Sequence, residues 1–142
     1  MRFGVLGPLA VWAADGTPVR VPEPKVRALL AALLLAEGRP VAADRLVEAL
    51  WAGAPPGDPA NTLQTKVSQL RRALGGAGTV LRHPGGYLLP IGPGDLDAHE
   101  FRALVERART AAPADRLGLL DRALGLWRSA ALADLADRPF AL

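Results

Sequence analysis

The sequence predicts an α+β fold followed by an all-α helical hairpin, and three observations carry that prediction. Two short β-type runs open the chain around an Asp15-Gly16 turn. A helix with a regular apolar stripe, Leu63, Val67, Leu70 and Leu74, precedes the glycine-rich hairpin sequence His83-Pro84-Gly85-Gly86. After Gly94, two further amphipathic stretches meet at a proline.

The first element is a small antiparallel sheet. "MRFGVLGPLAVW" and "TPVRVP" are strand-type runs, and "AADGT" between them holds the Asp-Gly pair that favours a hairpin turn. From Pro24 the pattern changes to "PKVRALLAALLLAEG", with a proline in the first turn, apolar residues on most sides and Gly38 as a stop. That is a buried central helix. "PVAADRLVEALW" follows as a second helix, with Ala43, Leu46, Val47, Leu50 and Trp51 on one face, and "AGAPPGDP" breaks it. Its start lacks the usual Ser or Thr cap, an omission that typically costs about 1 kcal/mol.

"NTLQTKVSQLRRALGG" is the third helix. Its stripe recurs at i, i+4, i+7 and i+11 and must face a core. At about 100° per residue the opposite face centres on Thr65, Gln69 and Arg72, with Asn61 and Ser68 beside them and Thr62 and Lys66 on one flank. Gly75-Gly76 ends the helix, and "TVLRHPGGYLLPI" reads as two strands of a hairpin. Sheet, three helices and a basic hairpin make the layout of a winged helix. In that layout the third helix enters the major groove of DNA and the hairpin, or wing, reaches adjoining backbone or minor groove.

Beyond Gly94, "DLDAHEFRALVERARTAA" opens with Asp97 and Glu100 spaced as a capping box and carries Phe101, Leu104, Val105 and Ala108 on one face. "PADRLGLLDRALGLWRSA" repeats the design with Leu117, Leu120, Leu124 and Trp127, which places Trp127 in a core. The pair resembles one tetratricopeptide-like unit of a helical array, which needs about three units to bury a continuous core. The expected division is therefore a winged helix over residues 1–94 and an incomplete helical domain over residues 95–142.

Charge distribution sharpens the reading. Residues 1–58 balance six acids against six bases and residues 95–142 hold eight against seven, while residues 59–94 hold Lys66, Arg71, Arg72 and Arg82 and no acid. The whole net charge of +3 thus sits on the third helix and the wing. Such a field attracts polyanions, and an acid there would meet phosphates spaced about one charge per 1.7 Å of duplex. The longest apolar run, residues 28–36, is far short of the roughly 20 residues that cross a bilayer, and a cytoplasmic protein without membrane association is expected. Cysteine is absent. Two histidines, His83 and His99, and two serines, Ser68 and Ser129, offer no nucleophile beside a base, so no enzyme, cofactor or metal site is expected.

The blocks "RFGVLGPLAVW", "PKVRALLAALLLAEGRPV", "DRLVEALW", "NTLQTKVSQLRRALG", "PGGYLL", "LDAHEF" and "ALGLWRSAALADLADRPF" resemble, in order, the Streptomyces antibiotic regulatory protein family of transcription activators. The resemblance implies an OmpR-type winged-helix DNA-binding domain followed by the start of a bacterial transcriptional activation domain. It also implies binding to direct repeats in double-stranded DNA near promoters, often by two protomers as a homodimer, and recruitment of RNA polymerase to biosynthetic gene clusters. By position it makes Thr65 and Gln69 base readers. It makes Asn61, Thr62, Lys66, Ser68, Arg71 and Arg72 mostly phosphate contacts, and adds Trp51, His83 and Tyr87 as backbone or minor-groove contacts. Charge alone adds Arg82 in the wing. Lys66 and Gln69 depart from the residues common at their positions, and a glutamine favours adenine where arginine favours guanine. The alternative is a protein-interaction adaptor that uses the helical hairpin with the winged domain as scaffold. The acid-free segment argues against it.

Overall fold

The computed structural model describes residues 1–76 and 79–138. Strand β1 (Arg2–Gly4) pairs antiparallel with β2 (Ala10–Trp12) in the register Phe3 opposite Val11. The first run therefore folds back on itself instead of extending to Trp12. The reversal falls in residues 5–9, where Gly7 adopts φ 147° and Pro8 follows. The Asp15-Gly16 turn forms as expected: the Ala13 N–H donates to the Thr17 carbonyl at 2.8 Å and Gly16 sits at φ 86°. "TPVRVP" makes only a single bridge, Trp12 to Pro18. Pro18 and Pro22 have no N–H to donate to a ladder, which accounts for the missing strand.

Helix α1 (Pro24–Leu35) is the buried centre, with Ala28, Leu29, Leu30, Ala31, Leu33 and Leu34 inaccessible. It is capped by Glu23, whose carboxylate accepts the N–H groups of Lys25 at 3.0 Å and Val26 at 2.9 Å. Helix α2 (Ala43–Trp51) has no side-chain cap, buries Leu46 and Leu50, half-buries Val47 and Trp51, and leaves Ala43 exposed against expectation. Helix α3 (Pro59–Leu74) buries its whole predicted stripe, Leu63, Val67, Leu70 and Leu74. It stops at Gly75, φ 105°, a conformation that favours glycine. Both α2 and α3 pack on α1.

Strands β3 (Leu81–His83) and β4 (Gly86–Leu88) form an antiparallel hairpin with Arg82 opposite Tyr87, at the position expected for the wing. Tyr87 exchanges backbone hydrogen bonds with Val41, 2.8 and 3.0 Å, which fastens the wing to the segment entering α2. Gly86 stands at φ 128°, and a Cβ there would lie 1.9 Å from the Val41 carbonyl oxygen. Only glycine permits that approach.

Helices α4 (Asp97–Thr110) and α5 (Pro113–Gly125) pack against each other. Asp97, however, is no capping-box residue. It is buried, and its carboxylate accepts the N–H groups of Val5 at 2.9 Å and Leu6 at 3.1 Å, across the chain. The stripe of α5 is also not a core: Leu117 and Leu124 are 68% and 65% exposed. Trp127 is 40% exposed and meets Phe101 edge-on at 5.6 Å, so its assignment to the core is corrected. An amphipathic pattern fixes which face is apolar, and here α4 alone is too little to cover it.

After α5 the chain returns to the N-terminal hairpin. The N–H groups of Arg128 and Leu132 donate to Leu6 and Val5 at 2.8 and 2.9 Å, and Asp134 pairs with Arg27 and accepts the Leu9 N–H. Leu132, Leu135 and Leu96 lie in the same buried cluster as α1, so one core crosses position 94. Among the described residues no helix is long and apolar enough to cross a membrane.

Candidate nucleic-acid interface

The first turns of α3, through Ala60, Leu63 and Gln64, and the β3–β4 hairpin, through Arg82, His83 and Tyr87, line one cleft of about 450 Å³ together with Ala42 and Asp44 at the start of α2. On α3 the exposed polar residues are Asn61, Gln64, Thr65, Ser68 and Arg72. Thr62, Lys66, Gln69 and Arg71 are half-buried. At about 100° per residue, Thr62, Lys66 and Gln69 share one flank, and Lys66 reaches from it to Glu23 at the start of α1. The exposed polar face is thus rotated from the expected centre toward Gln64 and Ser68.

The hydroxyls of Thr62 and Thr65 donate to the carbonyls of Asp58 at 2.9 Å and Asn61 at 3.2 Å. With its proton so used, Thr65 offers its acceptor lone pairs and its methyl group. No donor among the described residues reaches the buried Oε1 of Gln69. Arg71 donates from Nε to the Val80 carbonyl at 2.9 Å and braces α3 against the root of the wing. Arg72 is exposed.

On the wing, Arg82 and His83 are exposed, and the Arg82 guanidinium lies 5.7 Å from the Tyr87 ring centroid. His83 Nδ1 accepts the Gly85 N–H at 2.9 Å, which leaves Nε2 as the donor of the neutral ring. Tyr87 is 5% exposed and serves chiefly as a pin under the wing. Half-buried Trp51 closes α2 with Lys25 Nζ 5.8 Å from its ring centroid. Lys25 Nζ and Arg138 Nη1 both donate to the Leu50 carbonyl, at 2.8 and 3.2 Å, so this helix end carries two cations.

Four features of this region are not marked in the sequence. Gln64 was passed over although helical spacing sets it next to Ser68. Lys25 and Arg138 at the end of α2 have no local marker. Glu23, too, returns an acid to a segment that has none in sequence, pairing with Lys66 at 3.4 Å. Asp44 does the same in the cleft.

Residues 16–89 match the family described as "Transcriptional regulatory protein, C terminal". The chain is 41% identical over 138 residues to the regulatory protein AfsR of Streptomyces coelicolor, covering 94% of this chain and 14% of AfsR. It is 40% identical over 149 residues to the transcriptional regulatory protein EmbR of Mycobacterium tuberculosis, covering 99% of this chain and 38% of EmbR. The transcriptional regulator RedD of S. coelicolor is 35% identical over 148 residues, with 96% of this chain and 42% of RedD covered. A solved structure of M. tuberculosis EmbR in complex with a low-affinity phosphopeptide superposes with a TM-score of 0.87 at 40% identity, covering 99% of this chain and 39% of that one. The chain spans less than half the length of each of these relatives.

Proposed function

The chain belongs to the family of transcriptional regulatory protein C-terminal domains and is of the Streptomyces antibiotic regulatory protein type; from that premise we propose that it reads double-stranded DNA through α3 and the wing. The observation that carries this is an exposed polar face of α3 that bears no acid, beside a wing that presents Arg82 and His83 and shares a cleft with Gln64. In this reading Gln64, Thr65 and Ser68 meet base edges, and a bidentate amide–adenine contact contributes about 1–3 kcal/mol of discrimination. Asn61, Arg72, Arg82 and His83 hold phosphates, with Thr62 and Arg71 at the margin. Gln69 sits at the edge of the reading face. Its lone Oε1 is buried and carries a cost of about 1–3 kcal/mol. Trp51 and Tyr87 support the backbone contacts from below.

The wider reading is a transcription activator. Two protomers occupy direct repeats near a promoter, and residues 95–142 begin a tetratricopeptide-like activation domain that recruits RNA polymerase, in a biosynthetic gene cluster and in the cytoplasm. The exposed Leu117, Leu124 and Trp127 face is the one observation that favours an adaptor, and it fits equally the packing surface for a further helix pair. Selection of bound duplexes from a randomised pool tests the DNA reading. The expected result is a repeated consensus in which Gln64→Ala relaxes one base position; a pool that stays random would contradict it.

A further inference from the structure

Lys66 carries one of the four positive charges on α3 and the wing, yet its surroundings do not suit a phosphate contact. Its side chain is only 19% exposed, and Nζ lies 3.4 Å from Glu23 Oε2. Glu23 is itself held in place. Its two oxygens accept the N–H groups of Lys25 and Val26 in the first turn of α1, where the helix dipole favours a negative charge. Burial alone would push the Glu23 carboxyl up, but these two N–H groups and the Lys66 charge outweigh it and hold it below the ordinary glutamate range. The other nearby cation, Lys25, is turned to the Leu50 carbonyl.

We propose that Glu23 is a positioning residue that withholds Lys66 from DNA, so that the pair fixes α3 against the start of α1 and one of the four cations of α3 and the wing releases no counterion on binding. The inference rests on the DNA reading above. It follows that Glu23, which lies outside the helix and wing, sets part of the sequence-independent affinity of the interface.

The test compares salt dependence of binding to one duplex for the wild type, Glu23→Gln, Glu23→Asp, Lys66→Ala and the Glu23→Gln/Lys66→Ala pair, with circular dichroism to verify folding. Freeing one lysine steepens the slope of log K against log salt by about 0.9, roughly eightfold in affinity at about 0.1 M salt. Glu23→Gln should show that gain, whereas Lys66→Ala and the charge-retaining Glu23→Asp should keep the wild-type slope. The double substitution should return to it, which separates release of Lys66 from simple loss of an acid. A slope that falls by about 0.9 in Lys66→Ala alone, or is unmoved in Glu23→Gln, would overturn the inference while leaving the DNA reading intact. Absence of binding by every protein, wild type included, would sink both.

Discussion

Replacing Asp97 by alanine should be among the most damaging single changes in the chain. Its carboxylate is 6% exposed and accepts the N–H groups of Val5, Leu6 and Ala98 at 2.9, 3.1 and 2.8 Å. Removing it strands the buried Val5 and Leu6 donors, each at about 1–3 kcal/mol, for a total of about 4 kcal/mol. Arg128 Nη2, 4.0 Å away and partly exposed, adds little. Asp97→Asn should cost about half as much, since one oxygen still accepts while the amide nitrogen faces a donor. Urea unfolding should show the loss as a lower midpoint at unchanged m, with a fall in Tm of roughly 3 °C per kcal/mol. A cost under about 1 kcal/mol for the alanine variant would refute the claim that this carboxylate locks α4 to the N-terminal hairpin.

Gly86→Ala should unseat the wing, because the new Cβ lies 1.9 Å from the Val41 oxygen and 2.6 Å from its carbon, backbone atoms that cannot step aside. Loss of the cross-peaks that connect Tyr87 and Val41 in NMR, with DNA affinity down about tenfold or more, is the expected outcome. Leu132→Ala, in the segment that returns to the core, should cost about 2–4 kcal/mol in denaturant although it lies beyond α5; a change near zero would detach that segment from the fold. Glu23 titrates lower in the folded protein than unfolded, so its stabilising contribution is present above the ordinary glutamate range of about 4.3 and is lost as pH falls below it. The stability gap between wild type and Glu23→Gln should therefore shrink as pH falls through and below the ordinary glutamate range, and a constant gap would contradict the sign.

What the sequence made legible was what neighbours decide. The α3 stripe could be read because Leu63, Val67, Leu70 and Leu74 need only one helix to align them, and the wing because His83-Pro84-Gly85-Gly86 closes a hairpin locally. The N-terminal reversal escaped because Gly7-Pro8 lacks the Asp-Gly form, and Pro18 and Pro22 silenced a run of good strand formers. Asp97 was misread for a subtler reason. An acid three residues before Glu100 fits a capping box, while its actual partners, Val5 and Leu6, stand more than ninety positions away. The same distance problem hid Glu23 from Lys66 and the return of Leu132 to the α1 core. For α5, periodicity named the apolar face but not its cover, and Leu117 and Leu124 emerged exposed.

The most direct test of DNA reading is a fluorescence-anisotropy titration of the chain against promoter fragments from its own genomic neighbourhood and a scrambled duplex at two salt concentrations. The account predicts salt-sensitive binding with a clear preference for one fragment, weakened by Arg72→Ala on every duplex and by Gln64→Ala mainly on the preferred one. Equal affinity for all duplexes, unmoved by either substitution, would contradict it.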